Sequence, residues 1–586
     1  MSLSRTRPFL FANCMLRFCV PACLVAIAFA ATLSVGVVQA ADRVFDRTAC
    51  LLPLAADAQP RDASTILNTP ELRFADPIPG WSNYLRVWRA HHADPTNADI
   101  RRFLTLPLST ADGNTVAIRS IRGRSAPSWI GWRAGTYQQI DTPHLTVYSH
   151  ADAASGRRVA EDLERCYWVW TQMFFPLWEA SGQVTAALSG MPPDADVGEY
   201  LQNNPKRLTV RRKLRVVLFR DAAEYQQTLG QVIPGIERST GFYNDERQTA
   251  FFFAGSIQDE HADDAATRRH EMVHQLFREA TRSGLGGDMP GEQAGFWLVE
   301  GIAGYCESLH FGSHEATVGG WDSPRLQFAR FRSLVNQDVM PIRELAADGR
   351  VAAQQRDDLA RWYAHAIAQT HHLMDSSVTT NRQWLYRQLA SLYRVRVELP
   401  GSDELPDVDA GFVRFLRVDD ALLAANPVKR PLRQLCLAQC DVTGEGLATV
   451  PPSQQLNWLD LSRLPIDAHD VARILPAPTL LTQLSLEATR TDESIRDWLT
   501  QARRLEEVDL SFTRINDDVV DTLGASADLQ VLWLTGCPIT DRSISSIAKM
   551  KRLQSVDLQR TQVSEAGLDQ LRRSRPDLNI NPLTLR

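Results

Sequence analysis

Two rhythms of apolar residues run through the 586-residue chain. Between Thr267 and Ala280 (TRRHEMVHQLFREA) no Gly or Pro intervenes, and Leu276, Phe277 and Ala280 keep a spacing of three and four, which predicts a helix. Alternating runs predict strands at His144–Ser149, Leu208–Phe219 and Thr249–Ala254. Helices are expected at Arg157–Trp178, Ala222–Leu229 and Leu359–Met374. The aromatic density of the first of these reads as core. Ala41–Gln139 is broken by Pro and polar clusters, with a short helix expected at Tyr84–Ala90 and strands at Thr115–Ile121 and Trp129–Trp132. Four histidines carry no chemistry on this reading: His91 and His92 as a solvated loop, His371 and His372 as surface residues near a helix end. The acids of Gln258–Asp264 read as a surface loop.

The second rhythm begins near Pro431. An L-x-x-L-x-L unit occurs at Leu432/Leu435/Leu437, Leu456/Leu459/Leu461, Leu481/Leu484/Leu486, Leu505/Val508/Leu510, Leu529/Leu532/Leu534 and Leu553/Val556/Leu558. The units recur every 24 or 25 residues. This resembles the leucine-rich repeat family, in which each unit offers one short strand and stacked strands bury a continuous apolar spine. Leu578–Ile580 reads as the start of a cap. Cys440 and Cys537 stand three residues after the last leucine of their units, at the Asn/Cys position of the repeat, where other units carry Thr489, Thr513 and Thr561. The residues expected on the concave side include Trp458, Asp460, Glu487, Glu507, Asp509, Trp533 and Asp557. Acids with two tryptophans suit a basic or extended partner. Repeat inheritance accounts equally for the recurring Asp460, Asp509 and Asp557.

The first helix carries the candidate chemistry. His270, Glu271 and His274 form H-E-x-x-H. Residues four apart share a helix face, so the two imidazoles can address one Zn²⁺. Glu271 between them places a carboxylate where it can take a proton from water. Phe296–Ser308 (FWLVEGIAGYCES) then offers Glu300, 26 residues past His274, as a third ligand: a charge in an apolar run is costly unless paired or metal-bound. Ser283–Gly291, rich in Gly and holding Pro290, reads as the loop between the two helices.

Here the chain resembles the gluzincin metallopeptidases, whose signature joins H-E-x-x-H to a later W-x-x-E-G-x-A-x-Y; Trp297, Glu300, Gly301, Ala303 and Tyr305 match it in order. The resemblance, over roughly Asp141 to Asp375, implies a zinc-dependent hydrolase of peptide bonds with His270, His274 and Glu300 as ligands and Glu271 as general base. It implies an oxyanion donor in a later helix, for which Tyr363 is the first candidate and His365 the second. It also implies an exposed edge strand beside the metal, either Thr249–Ala254 or a neighbour. One departure stands out. Many gluzincins carry an acid four residues after the ligand Glu, where this chain has Gly304; Glu307, on the same helix face, is a candidate to replace it.

The remaining features set the context. Arg5, Arg7 and Arg17, the apolar run Phe18–Val38 and the small residues ending at Ala40 read as a signal peptide cut before Ala41, or as a membrane anchor if uncut. Without its three arginines the formal charge moves from −6 to −9, which argues against a general nucleic-acid binder. No second long apolar stretch follows, so no membrane span is expected in the mature protein. The six cysteines after Ala40 show no disulfide spacing and no C-x-x-C.

The expected architecture is an α+β zincin-like domain followed by an α/β leucine-rich repeat solenoid. The boundaries are 1–40 for the signal, 41–140 for a region of unclear fold, 141–425 for the catalytic domain and 430–586 for the repeats. The expected function is that of an exported, secreted or periplasmic, zinc metallopeptidase acting on peptides or proteins, with the repeats receiving substrate or a protein partner. Two alternatives stand beside it: a non-catalytic metal-binding protein acting through its repeats, and a zinc hydrolase of some other bond.

Overall fold

The computed structural model describes residues 47–581, apart from 64–77, 109–114, 180, 207, 209–211, 234–235, 237–238, 256–261 and 287. The expected signal segment and most of the acidic run Gln258–Asp264 lie outside the described residues. No described helix is long and apolar enough to cross a membrane. The chain forms two compact units. One comprises Asp46–Gly319 and Ile342–Val408; the other holds Gly320–Pro341 and Asp409–Arg586.

The first unit is built on two sheets. Strand β1 (Thr48–Leu51) pairs antiparallel with a later strand described below. β2 (Arg119–Arg122), β3 (Gln138–Asp141), β4 (Leu145–Ser149), β5 (Leu214–Phe219), β6 (Gly241–Asn244) and β7 (Thr249–Phe253) form a mixed sheet in the order β2-β3-β4-β5-β7-β6. β4, β5 and β7 run parallel at its centre, and β6 closes one edge antiparallel to β7. Thr249–Ala254 is therefore an interior strand, as its three consecutive phenylalanines suit, and the edge belongs to β6. β8 (His310–Phe311) and β9 (Glu315–Val318) complete the small sheet β1-β9-β8.

Residues 47–140 pack within this unit. β1 enters the small sheet, and the Leu51 amide and carbonyl both bond the Gln172 side chain of the long helix Ala153–Met173. The helix Pro79–Ala93 buries Trp81, Tyr84 and Trp88, and the Trp81 indole donates to the Gln172 carbonyl at 2.7 Å. His91 and His92 are buried in it, contrary to the solvated loop expected. The Leu54 amide donates to His91 Nε2 at 3.0 Å, and His92 Nε2 bonds the Leu52 carbonyl at 2.9 Å. Burial, with Arg101 nearby, pushes the His91 pKa down to about 3. His371 and His372 are likewise interior. His371 Nδ1 lies 3.1 Å from Asp375, which also accepts from the Tyr305 hydroxyl at 2.8 Å, and burial pushes His372 down to about 4.

The second unit contains an all-parallel sheet of short strands in strict chain order. These are β10 (Gln434–Cys436), β11 (Trp458–Asp460), β12 (Gln483–Ser485), β13 (Glu507–Asp509), β14 (Val531–Trp533), β15 (Ser555–Asp557) and β16 (Asn579–Ile580). The first six each centre on the middle apolar residue of one unit of the repeat, from Leu435 to Val556, and these residues stand in register and are buried. Two residues past the last leucine of each unit the backbone turns left-handed. Gln439, Arg463, Ala488, Phe512 and Arg560 have φ between 52° and 64°, and Gly536 takes the sixth place at 72°. L-residues pay roughly 1–2 kcal/mol for that conformation. The same turn is therefore imposed by the stacking, whatever residue fills it.

Acids expected to face a partner are largely turned to the protein's own backbone. Asp460, Asp509 and Asp557 each accept from the amide two residues on, at 2.9–3.0 Å. Glu507 and Trp533 are only half-buried. Trp458 lies beneath the segment 320–341: Phe331 meets it edge-on at 5.7 Å, with Phe328 and Val335 alongside. Arg330 in that segment is fully buried and donates to the carbonyls of Trp321, Leu416 and Cys436. All six described cysteines are free and buried.

Candidate metal centre

Three helices of the first unit make the site. The first, Ala262–Leu285, carries Met272, Val273, Leu276 and Phe277 on a buried face. Phe277 lodges between Phe174, at 4.9 Å, Trp170 and Tyr393, and burying such a ring contributes about 1.5–3 kcal/mol. His270, Glu271 and His274 lie on less buried positions of the same helix.

The second helix, Phe296–Cys306, is buried along its whole length and begins after Gly295 in a left-handed turn. Its glycines explain its setting. A Cβ on Gly301 would lie 2.1 Å from Thr370 Oγ1, and one on Gly304 would lie 2.4 Å from Ile367. Both neighbours belong to the third helix, Leu359–Asp375, so the glycines let that helix approach closely. An acid at 304 has no room here, which accounts for the departure noted in the sequence.

The two histidines and Glu300 converge. Their donor atoms all lie within 4.8 Å of one another. His270 Nε2 is 3.1 Å from His274 Nε2 and 3.4 Å from Glu300 Oε2, and His274 Nε2 is 3.7 Å from Glu300 Oε1. Ligands at about 2.05 Å around a tetrahedral Zn²⁺ stand roughly 3.3 Å apart. Two imidazoles and one carboxylate, with a fourth position left over, are a suitable donor set for zinc.

The electrostatics favour positive charge at this point. Burial disfavours a charged His270, but the Glu300 and Glu307 carboxylates outweigh it and push its pKa up to about 10. Burial also opposes the charge on Glu300, yet His274 and His270 hold its carboxyl well below the usual range. A proton or a divalent cation meets the same demand.

Glu307, at the end of the second helix, accepts from His270 Nδ1 at 2.9 Å. It thus fixes the ring with Nε2 toward the site, as a carboxylate behind a ligand histidine does. Glu271 accepts from the Tyr243 amide at 3.0 Å. Burial raises its carboxyl above the ordinary carboxylate range, while the two imidazoles and that amide pull the other way. Nothing in the sequence pointed to the Tyr243 amide, which β6 supplies from the sheet edge. Asp245, just beyond β6, is tied to Arg278 at 2.6 Å and Arg282 at 2.8 Å, both on the His270 helix.

No family model matches this chain, and no curated protein does. Among solved structures it is similar in part to a leucine-rich repeat protein of Leptospira interrogans, at 18% identity and a TM-score of 0.19. That likeness covers 25% of this chain and 48% of the other, so the chain spans about half of that protein's length.

Tyr363 and His365, both on the third helix, are placed differently. Burial, together with the nearby Glu300 and Glu271 carboxylates, raises the Tyr363 phenol above its usual range, and Arg350 opposes that shift. Tyr363 therefore feels both site carboxylates and keeps its proton. His365 lies two residues on, about 200° around the helix. Its ring is fully buried, and Nδ1 bonds the Arg361 carbonyl at 2.9 Å.

Proposed function

We propose that this chain is an exported, gluzincin-like zinc hydrolase of peptide bonds, joined to a C-terminal leucine-rich repeat stack that receives substrate or a protein partner. The observation that carries the reading is the convergence of His270, His274 and Glu300 donor atoms within 4.8 Å, with Glu271 beside them and Glu307 behind His270. The zincin-like assignment of the first unit also rests on the motif, since H-E-x-x-H and the Glu300 helix meet as the resemblance requires. The repeat assignment rests on the 24-residue period and its strands in register. Export rests on the sequence of residues 1–40 alone.

His270, His274 and Glu300 would hold Zn²⁺. Bound zinc supplies a Lewis acid that polarises a carbonyl and makes water more acidic. Glu271, its basicity raised by burial, takes the proton of the attacking water and passes it to the leaving amine. The Tyr243 amide holds one Glu271 oxygen in place during that exchange. Tyr363, protonated across the physiological range, donates to the oxygen on which negative charge develops.

Zinc content and casein digestion of the wild type against His274→Ala and Glu271→Gln test the proposal. One zinc per chain is expected in the wild type and in Glu271→Gln, with less than a tenth of that in His274→Ala. Digestion is expected in the wild type alone. Full zinc in His274→Ala, or unchanged digestion by Glu271→Gln, would overturn it.

A further inference from the structure

Arg350, beside the site, has no acidic partner among the described residues. It opens the short helix Arg350–Gln354, which follows a stretch laced to the chain just ahead of the Glu300 helix. Gly295 donates to the Ala346 carbonyl, Phe296 to Asp348, and Arg350 back to Gly291 at 3.0 Å. Gly349 allows this lacing, because a Cβ there would lie 2.3 Å from the Glu292 carbonyl oxygen. The guanidinium of Arg350 sits 5.9 Å from the ring centre of Phe296, one helical turn before Glu300. Phe296 stacks on Trp362, the neighbour of Tyr363.

Three acids of the adjoining stretch are paired with other arginines. Arg356 pairs with Glu344, Asp348 and Asp358, and Arg361 pairs with Asp358 at 3.1 Å. Among the described residues, no carboxylate pairs with the half-buried Arg350. A partly desolvated guanidinium is poorly compensated by one ring face, and its planar donors suit a carboxylate held by two bonds. Its charge opposes the raised pKa of the Tyr363 phenol, and its ring partner Phe296 stands one helical turn from Glu300, so a group bound to it lies on the site side of that helix's first turn.

We infer that Arg350 is a specificity-determining residue that binds a carboxylate of the peptide substrate, either its C-terminus or an acidic side chain near the scissile bond. The inference rests on the peptide-hydrolase reading above. It goes further by naming the charge of the preferred substrate.

The test uses full-length, zinc-loaded protein carrying Glu271→Gln, so that binding is read without turnover. Calorimetric titration compares tetra-alanine with a free C-terminus, its C-terminal amide, and amidated Ala-Ala-Glu-Ala. At least one carboxylate peptide is expected to bind about tenfold tighter than the neutral amide, the scale of one charge-assisted hydrogen bond. A preference for the free acid identifies the terminal carboxylate, and a preference for the Glu peptide identifies the side chain. Adding Arg350→Gln should bring the ratio to about one, and Arg350→Lys should restore part of it. Equal affinity for all three peptides with Arg350 in place would overturn the inference. So would an equal loss for all three in Arg350→Gln, which would make the residue a support for Tyr363 instead. Hydrolysis of the same peptides by the wild type separates the two readings. Cleavage without carboxylate preference sinks only the role of Arg350. An Arg350-dependent preference in binding with no cleavage sinks only the hydrolase. No binding and no cleavage sinks both.

Discussion

In the C-terminal sheet, Leu435, Leu459, Leu484, Val508, Leu532 and Val556 each meet the next at 24 or 25 residues, and the six strands that carry them repeat the same three-residue part. Around His270 no two partners share a spacing. Glu307 comes from 37 residues on, and the amide that holds Glu271 comes from 28 residues back. The sheet is redundant: removing one of these six residues leaves five equivalent ones. The site is not, since each donor occurs once. Substitutions in the first region should therefore act on stability and little on chemistry. In the second they should act on metal and chemistry and little on stability.

Leu532→Ala gives the largest effect on the sheet side. Truncating a fully buried leucine is expected to remove about 2–5 kcal/mol from the unfolding free energy, with zinc content unchanged. Denaturant unfolding and metal analysis on one preparation check both halves, and a loss of zinc would break the contrast. Glu307→Gln is next. It should weaken zinc affinity about 10–100-fold while shifting unfolding of the metal-free protein little. Adding Gly304→Asp to that variant should not restore affinity, because Ile367 occupies the space; competition with a chelator reads both changes.

The pH dependence of zinc binding follows in size. In the metal-free protein the His270 pKa lies at about 10, above its ordinary value, so the ring must lose a proton to accept the metal. Affinity should rise about tenfold per pH unit between pH 7 and 9, and a flat profile would show that the His270 ring is already neutral at pH 7 in the metal-free protein. The same raised pKa stabilises the metal-free fold fully below about pH 6.5, and that contribution fades as pH climbs through about 10. Ala488→Gly has the smallest effect. It relieves a left-handed turn and should stabilise by about 0.5–1 kcal/mol, read as a small rise in the unfolding midpoint.

Legibility divided along the same line. One short strand falls inside each of the six units of the repeat, because pairing at one fixed interval is a local property written six times. The spacing of His270, His274 and Glu300 was readable because helical periodicity and an acid in an apolar run are both one-dimensional signals. Gly304 could be seen as a departure, but its cause, the contact with Ile367, needed the third helix. The buried histidines were misjudged for a related reason. A polar ring goes inside when a partner is supplied from elsewhere, such as the Leu52 and Leu54 backbone for His92 and His91. Arg350 and the Tyr243 amide gave no signal, since one is an ordinary arginine in a polar stretch and the other is main chain.

The placement of residues 320–341 has a consequence for how this chain can be divided. In sequence they interrupt the unit that carries His270, while in space they belong with the strands that begin at Gln434. A protease cutting near Val408 would sever the covalent link between the tail and Phe331 and Arg330, which cover Trp458 and donate to the Cys436 carbonyl. The two pieces would hold complementary halves of one interior, so the nicked protein should behave as a single particle until denatured.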